Sequence, residues 1–282
     1  MVRRRESIYF FLFRFVAYVA VGFLVLVVLL LVKLGADALS LTFLTKPWSH
    51  RDIASGGIIQ AIAGSFYLGL GIVVVGVPLG VATAIYLVEY SRENVWKRII
   101  ELAIQNLASV PSVVYGLFGF AVFVNLLRFG SSLLSAVLVL SMMVMPWVIT
   151  AAVEALKSVP RRWRESSLAL GASRWSTIRR IVLPAAMPGI ITGSIIGLAR
   201  ALGETAPIII VGATFYMNGL PTSVFDKFMT LPYHTFILAT QHADPKAPSY
   251  AAATAVVLIG LTFCMSVGAM VLRTLYRRRR EW

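Results

Sequence analysis

The chain has 282 residues, of which 59% are hydrophobic and only 13% charged, well under the roughly 25% charged content of soluble domains. One or two water-soluble domains are excluded, because such a chain lacks the polar surface to cover itself. The net charge of +14 does not mark a nucleic-acid binder, since the basic residues sit between apolar runs of spanning length.

In chain order, Arg3, Arg4 and Arg5 precede an uncharged run at 15–32, and Ala36-Asp37-Ala38 mimics a signal-peptide cleavage site. The run exceeds the ~7–15 residues of a signal core, so it reads as an uncleaved first span. Further charge-free windows predict spans at 63–88, 102–126, 130–153 and 250–272, and the apolar run 188–212, interrupted by Arg200 and Glu204, predicts another. Backbone in hydrocarbon must satisfy itself, so the expected fold is all-α, a polytopic membrane protein of six transmembrane helices. The alternating polarity of a β-barrel strand is missing. Gly76-Val-Pro78-Leu-Gly80 permits close helix approach, and Pro111 and Pro146 should kink a span or end a half-helix. The segment 213–249 predicts a loop with a short helix lying at the outer interface, and 33–60 is expected to behave similarly.

Lys and Arg counts set the orientation. With the N-terminus inside, the interior segments hold four (3–14), three (92–98), seven (157–180) and five (273–280), 19 in all. The opposite side holds six, at 33, 46, 51, 128, 227 and 246, which predicts that both termini are cytoplasmic. A single cysteine, Cys264, and scattered histidines (His50, His234, His242) suggest neither a disulfide framework nor a metal site.

Two constellations stand out. The first is the interior segment from Glu165 through Ser166, Ser167, Leu168, Gly171 and Ala172 to Pro184. It predicts a helix opened by Pro160, a turn at Gly171, a second helix capped by Ser173, and a stop at Pro184. Leu168, Trp175 and Ile178 are expected to be exposed beside the arginines, needing either a partner surface or anionic lipid. The second is Arg200-Ala-Leu-Gly203-Glu204-Thr205-Ala206-Pro207, with Arg200 at the midpoint of the predicted fifth span. A charge at that depth costs about 2.5–3.5 kcal/mol on insertion scales, so it should face a cavity or a partner. Glu204 lies one helical turn away on the same face. The pair reads either as a structural ion pair or as an anion site in a translocation path.

The spacing of Glu165, Gly171 and Ile181-Val-Leu183-Pro184 resembles the EAA loop of ABC-type importer permeases, with Ser166 and Ser167 where that pattern has alanines. Arg-Ala-x-Gly-Glu-Thr-Ala-Pro after such a loop is similar to the phosphate permeases of that group, the PstA family. Tyr86-Leu-Val-Glu89-Tyr90 and Ser109-Val-Pro111-Ser112-Val-Val-Tyr115-Gly116-Leu-Phe-Gly119 fit as well. The resemblance runs from about residue 55 to the C-terminus. It implies an N-terminal anchor helix and exterior loop (1–54), a permease domain (55–275) with a type I importer fold, and a basic cytoplasmic tail (276–282). It implies that Glu165, Ser166, Ser167, Leu168, Gly171 and Ala172 form a coupling helix seated in an ATPase. Arg200, Glu204 and Thr205 would line the substrate path.

The implied partners are a PstC-like permease as heterodimer partner, a dimer of a PstB-like ATPase, a PstS-like phosphate-binding protein, the phosphate ion and membrane lipid. The implied location is the prokaryotic plasma membrane. No G-x-x-x-x-G-K-[ST] pattern occurs, so ATP and Mg belong to the partner ATPase, and this chain carries no cofactor and no catalytic residue. Sulfate and molybdate permeases share a similar Arg-x-x-Gly-Glu core, so another oxyanion such as molybdate, tungstate or sulfate remains the alternative substrate. An ion-gradient-driven secondary carrier would need internal repeats and mid-membrane carboxylates, of which only Glu204 qualifies. A non-transporting scaffold would have no need of Arg200.

Overall fold

The computed structural model describes residues 2–49, 52–217 and 219–278; His50, Arg51 and the tail from 279 lie outside the described residues. Among the described residues the secondary structure is helical apart from one isolated bridge between Ala213 and Phe228. Five helical stretches are long and apolar enough to cross a membrane: Tyr9–Gly35, Ile59–Tyr90, Leu133–Lys157, Arg174–Leu202 and Ala247–Leu275. In chain order the helices are α1 (Val2–Gly35), α2 (Leu41–Thr45), α3 (Ile59–Ile85), α4 (Val95–Ala108), α5 (Ser112–Gly119) and α6 (Leu133–Lys157). They continue as α7 (Arg161–Ala169), α8 (Arg174–Thr177), α9 (Leu183–Leu202), α10 (Ala206–Val211), α11 (Leu231–Thr240) and α12 (Ala247–Arg278).

Two predicted spans are corrected. The stretch 102–126 is not one helix: α4 and the following segment Ser112–Leu126 meet at a bend of 102°. Pro111 has no N–H to donate, and its ring disfavours helical backbone at the residue before it, so the chain turns there. α4 has no buried residue, whereas Tyr115, Gly116 and Gly119 of α5 are buried. The two halves count as one span only if the broken pair is taken together.

The predicted span 188–212 is instead the continuous stretch Arg174–Leu202, followed by a break and the separate α10. Pro184 does not stop it. The turn Ile178–Val182 is a π-helix, in which the Leu183 N–H bonds to the Ile178 carbonyl. This local widening carries the chain through the proline without ending the helix. Charge-free windows missed the start because Arg174, Arg179 and Arg180 belong to the same helix.

The bundle is organised on α6. Gly71, Gly76 and Gly80 of α3 lie against Val137, Ser141 and Val148, and Gly189, Gly193 and Gly197 of α9 lie against Ala155, Ala151 and Val144. Hydrogen at the α-carbon lets helix backbones approach closely on both sides, which is how membrane helices gain contact without a hydrophobic driving force. α1 stands apart. It touches α12 near Gly35, while its apolar side chains from Tyr9 to Val25 are exposed.

The connecting segments 33–60 and 213–249 were expected to lie along the interface; among their described residues, apolar side chains from both segments pack into one cap at the end of the bundle opposite the 161–180 loop. Phe43, Trp48, Ile53, Ile58, Met229, Leu231 and Leu238 are buried together there. The Trp48 N–H donates to Gln60 Oε1 at 2.7 Å, and Gln60 Nε2 donates to the Met217 carbonyl at 2.8 Å. His234 stacks on Phe215 with ring centroids 4.8 Å apart and meets Trp48 edge-on at 4.5 Å.

Two measurements test this packing. A Cβ at Gly64 would collide with the Met229 carbonyl, whereas Gly22 has no neighbour within 4 Å. Gly64→Ala should therefore destabilise the purified protein in detergent by about 1–3 kcal/mol, with Gly22→Ala close to neutral, read from unfolding midpoints. Burial, and then the neighbouring His242, push the His234 pKa down from 6.5 to about 3. The unfolded state takes up that proton first, so this contribution is full above pH 6.5 and falls as pH drops from 6.5 towards 3. His234→Phe should flatten the acid side of the stability profile.

Candidate functional site

The first constellation folds as a helix, a glycine turn and a second helix. α7 ends in a paired motif: the Ala172 N–H bonds to the Ser167 carbonyl at 3.2 Å and the Gly171 N–H to the Leu168 carbonyl at 3.0 Å. Gly171 sits at a φ of +81°, a conformation that glycine alone adopts without steric cost. Ser173 then caps α8, its hydroxyl accepting from the Ser176 N–H at 3.2 Å. The two arms are latched by a 2.8 Å hydrogen bond between the Ser167 and Thr177 hydroxyls. Ser167 is buried in this contact, while Glu165, Ser166, Leu168 and Gly171 are exposed and Ala172 is partly so.

Leu168 and Trp175 are exposed as expected, but Ile178 is 1% exposed and belongs to the core. Its place at the tip is taken by Leu170, 89% exposed, which the sequence reading passed over. The signal was available: an apolar residue immediately before a turn glycine cannot follow its helix back into the core. The result is a small, internally braced protrusion with an apolar tip and arginine flanks, a shape suited to a complementary groove.

The second constellation differs from its predicted geometry. Arg200 lies in the last turn of α9, not at the midpoint of a helix, and Gly203, Glu204 and Thr205 form the break before α10. The antiparallel contacts of Gly189 with Ala155 and Gly193 with Ala151 set the register of α9 on α6. That register places Arg200 about ten residues, roughly 15 Å, below the first residue of α6. Depth therefore comes from α6, which continues past the end of α9.

The Arg200 guanidinium lies over the Trp147 ring, 4.9 Å from its centroid. An indole face is the best aromatic surface for a cation. Its Nε is 3.9 Å from Glu204 Oε1, an ion pair but too long for a hydrogen bond. The Arg200 side chain is 51% exposed and that of Glu204 19%. Among the described residues the guanidinium has no hydrogen-bond partner, so its planar fork of donors is open to an oxyanion. Thr205 precedes α10 without capping it. Trp147 was missed because it is one apolar residue in an apolar run; only packing shows it beneath Arg200.

The break is supported from the other side. Gly116 approaches Pro207, and Gly119 approaches Val139 and Val211, so α5 seats α10 just beyond Thr205. The Pro111–Gly119 stretch thus serves packing around the break. Among the described residues no cluster of His, Cys, Asp and Glu has the arrangement of a metal site.

The family of binding-protein-dependent transport system inner membrane components matches residues 76–280 of this chain. The probable ABC transporter permease protein YqgI of Bacillus subtilis is 32% identical over 256 residues, covering 87% of this chain and 87% of the relative. The phosphate transport system permease protein PstA 1 of Mycobacterium tuberculosis is 34% identical over 243 residues, covering 83% of this chain and 77% of the relative. A crystal structure of a bacterial alginate ABC transporter, in complex with an alginate pentasaccharide-bound periplasmic protein, matches with a TM-score of 0.70 at 15% identity. It covers 95% of this chain and 94% of its own, a likeness of fold alone.

The loop geometry yields a labelling prediction. A cysteine at Leu170 should react with a membrane-impermeant maleimide in inside-out vesicles and not in intact cells. Cys264, on the exposed surface of the apolar α12, should stay unreactive in lipid. Labelling of position 170 from outside would reverse the orientation.

Proposed function

As this chain belongs to the family of binding-protein-dependent transport system inner membrane components, a permease whose ATPase is a separate chain, we propose that it forms one half of the translocation path of an ATP-driven inorganic phosphate importer. The observation that carries this reading is the open guanidinium of Arg200, held over Trp147 beside Glu204. Relatives named as phosphate permeases at 34% identity support the choice of phosphate.

Arg200 and Glu204 together are neutral, so they do not hold a dianion by themselves. The remaining positive charge comes from a second, PstC-like permease across the path. Arg200 offers its donors to two phosphate oxygens. Glu204 only accepts, and takes the P–OH of hydrogen phosphate; sulfate at neutral pH has no such proton. Thr205 adds a hydroxyl that both donates and accepts. A PstS-like binding protein delivers phosphate. ATP-driven closure of a PstB-like dimer moves the loop from Glu165 to Ala172, and with it the pathway, between outward and inward access. The permease domain is residues 55–275 and the chain is a multi-pass inner membrane protein, with both termini in the cytoplasm.

Uptake of labelled phosphate by the reconstituted complex, with ATP inside, tests this. Arsenate should compete and sulfate should not; the reverse pattern would assign another oxyanion. A hydrogen-bonded charge is worth about 1.5–3 kcal/mol, so Arg200→Ala should lower transport efficiency about 10- to 100-fold or more. Glu204→Gln should erode the preference for phosphate over sulfate, and an unchanged preference would remove Glu204 from recognition.

A further inference from the structure

The turn that follows α3, Tyr86–Tyr90, is a π-helix in which Glu89 is buried. Its carboxylate faces Arg164 of α7, with side chains 8% and 18% exposed. Arg164 Nε and Nη2 both donate to Glu89 Oε1, at 3.0 and 2.8 Å. The same guanidinium donates from Nη1 to the Val159 carbonyl at 2.7 Å and from Nη2 to the Leu156 carbonyl at 2.8 Å. Those carbonyls lie at the C-terminus of α6, where the helix dipole favours a cation. One residue of α7 thus grips the ends of both α3 and α6. The next residue of the π-turn grips the other arm: the Arg174 guanidinium lies over the Tyr90 ring, 5.3 Å from its centroid.

We propose that the Arg164–Glu89 pair, seconded by Arg174 on Tyr90, is the joint that transmits motion of the 161–174 protrusion to the α3–α6 pair. The argument is mechanical and rests on reading that protrusion as the ATPase docking element. A loop hinged only through its chain ends would yield when pulled. Here α7 and α8 are latched by Ser167 and Thr177, and the latched unit is fixed to two long helices through a largely buried, multiply hydrogen-bonded ion pair. α6 in turn carries Trp147 beneath Arg200 and sets the register of α9. Movement of the protrusion reaches the Arg200 site through α6. Glu89 and Arg164 are positioning residues that touch neither ATP nor substrate.

The test uses the full complex carrying Glu89→Gln or, in a second variant, Arg164→Lys, which keeps a charge opposite Glu89 but loses the fork that reaches α6. Expected is retention of the ATPase and continued ATP hydrolysis, with phosphate accumulated per ATP hydrolysed reduced about fivefold or more, the lower end of typical coupling energies. A cysteine at Ile196, one turn from Arg200, provides a readout independent of substrate: its reactivity should change on adding ATP in the unaltered complex and not in the variants. A normal phosphate-to-ATP ratio in both variants overturns the proposal. So does loss of the ATPase from both assembled complexes, which would make the pair an anchor only. If the unaltered complex accumulates no phosphate yet Ile196→Cys still responds to ATP, the substrate reading fails and the joint is judged on the cysteine alone.

Discussion

Close contact across α6 sets the rest of the structure. In hydrocarbon, helices gain little from burying apolar surface, so contact depends on how near their backbones can come. α6 meets a glycine row on each side, Gly71, Gly76 and Gly80 from α3 and Gly189, Gly193 and Gly197 from α9. A row of such contacts fixes register as well as distance, because sliding by one turn would drive side chains into positions with no room for a Cβ. The depth of Arg200 follows from that register. So does the arrival of the ends of α3 and α6 at the same level, where one guanidinium reaches both.

Breaks and widenings in the helices then do what straight spans would not. Two interrupted segments, α4–α5 at Pro111 and α9–α10 at Gly203, pack against each other through Gly116 and Pro207. Broken backbone at membrane depth survives where it is buried in protein or faces a water-filled cavity. The arrangement leaves Glu204 and Thr205 off the helical cylinder, with Glu204 beside Arg200. π-helical turns occur at 86–90, 120–126 and 178–182. The first presents Glu89 and Tyr90 to the protrusion, and the last carries the helix through Pro184.

The charges are graded by environment. Arg200 and Glu204 form a long, partly exposed pair. Glu89 and Arg164 form a short, largely buried pair in which the guanidinium makes four hydrogen bonds, two to Glu89 Oε1 and two to main-chain carbonyls. Removing one partner of a buried pair costs about 3–5 kcal/mol, because the other charge is left without compensation. An ion pair built that way suits a fixed joint, whereas the open one suits binding and release.

The class of molecule and the local form of both constellations were legible in the sequence alone. Apolar length is a property of composition, the Gly171 turn with its Ser173 cap is local, and a lone arginine in an apolar run announces itself. The helix–turn–helix at 161–177 was legible for that reason, as was the pairing of Arg200 with Glu204. Tertiary structure alone decided where helices end and what the functional side chains rest on. Pro111 breaks a span, whereas the helix runs on through Pro184 behind a widened turn and through Pro146 inside α6. Ile178 turned inward and Leu170 outward through the packing of the two arms. Trp147 beneath Arg200, and Glu89 opposite Arg164, join residues far apart in the chain, and no local pattern encodes contacts that exist only once α6 has set the register of its neighbours.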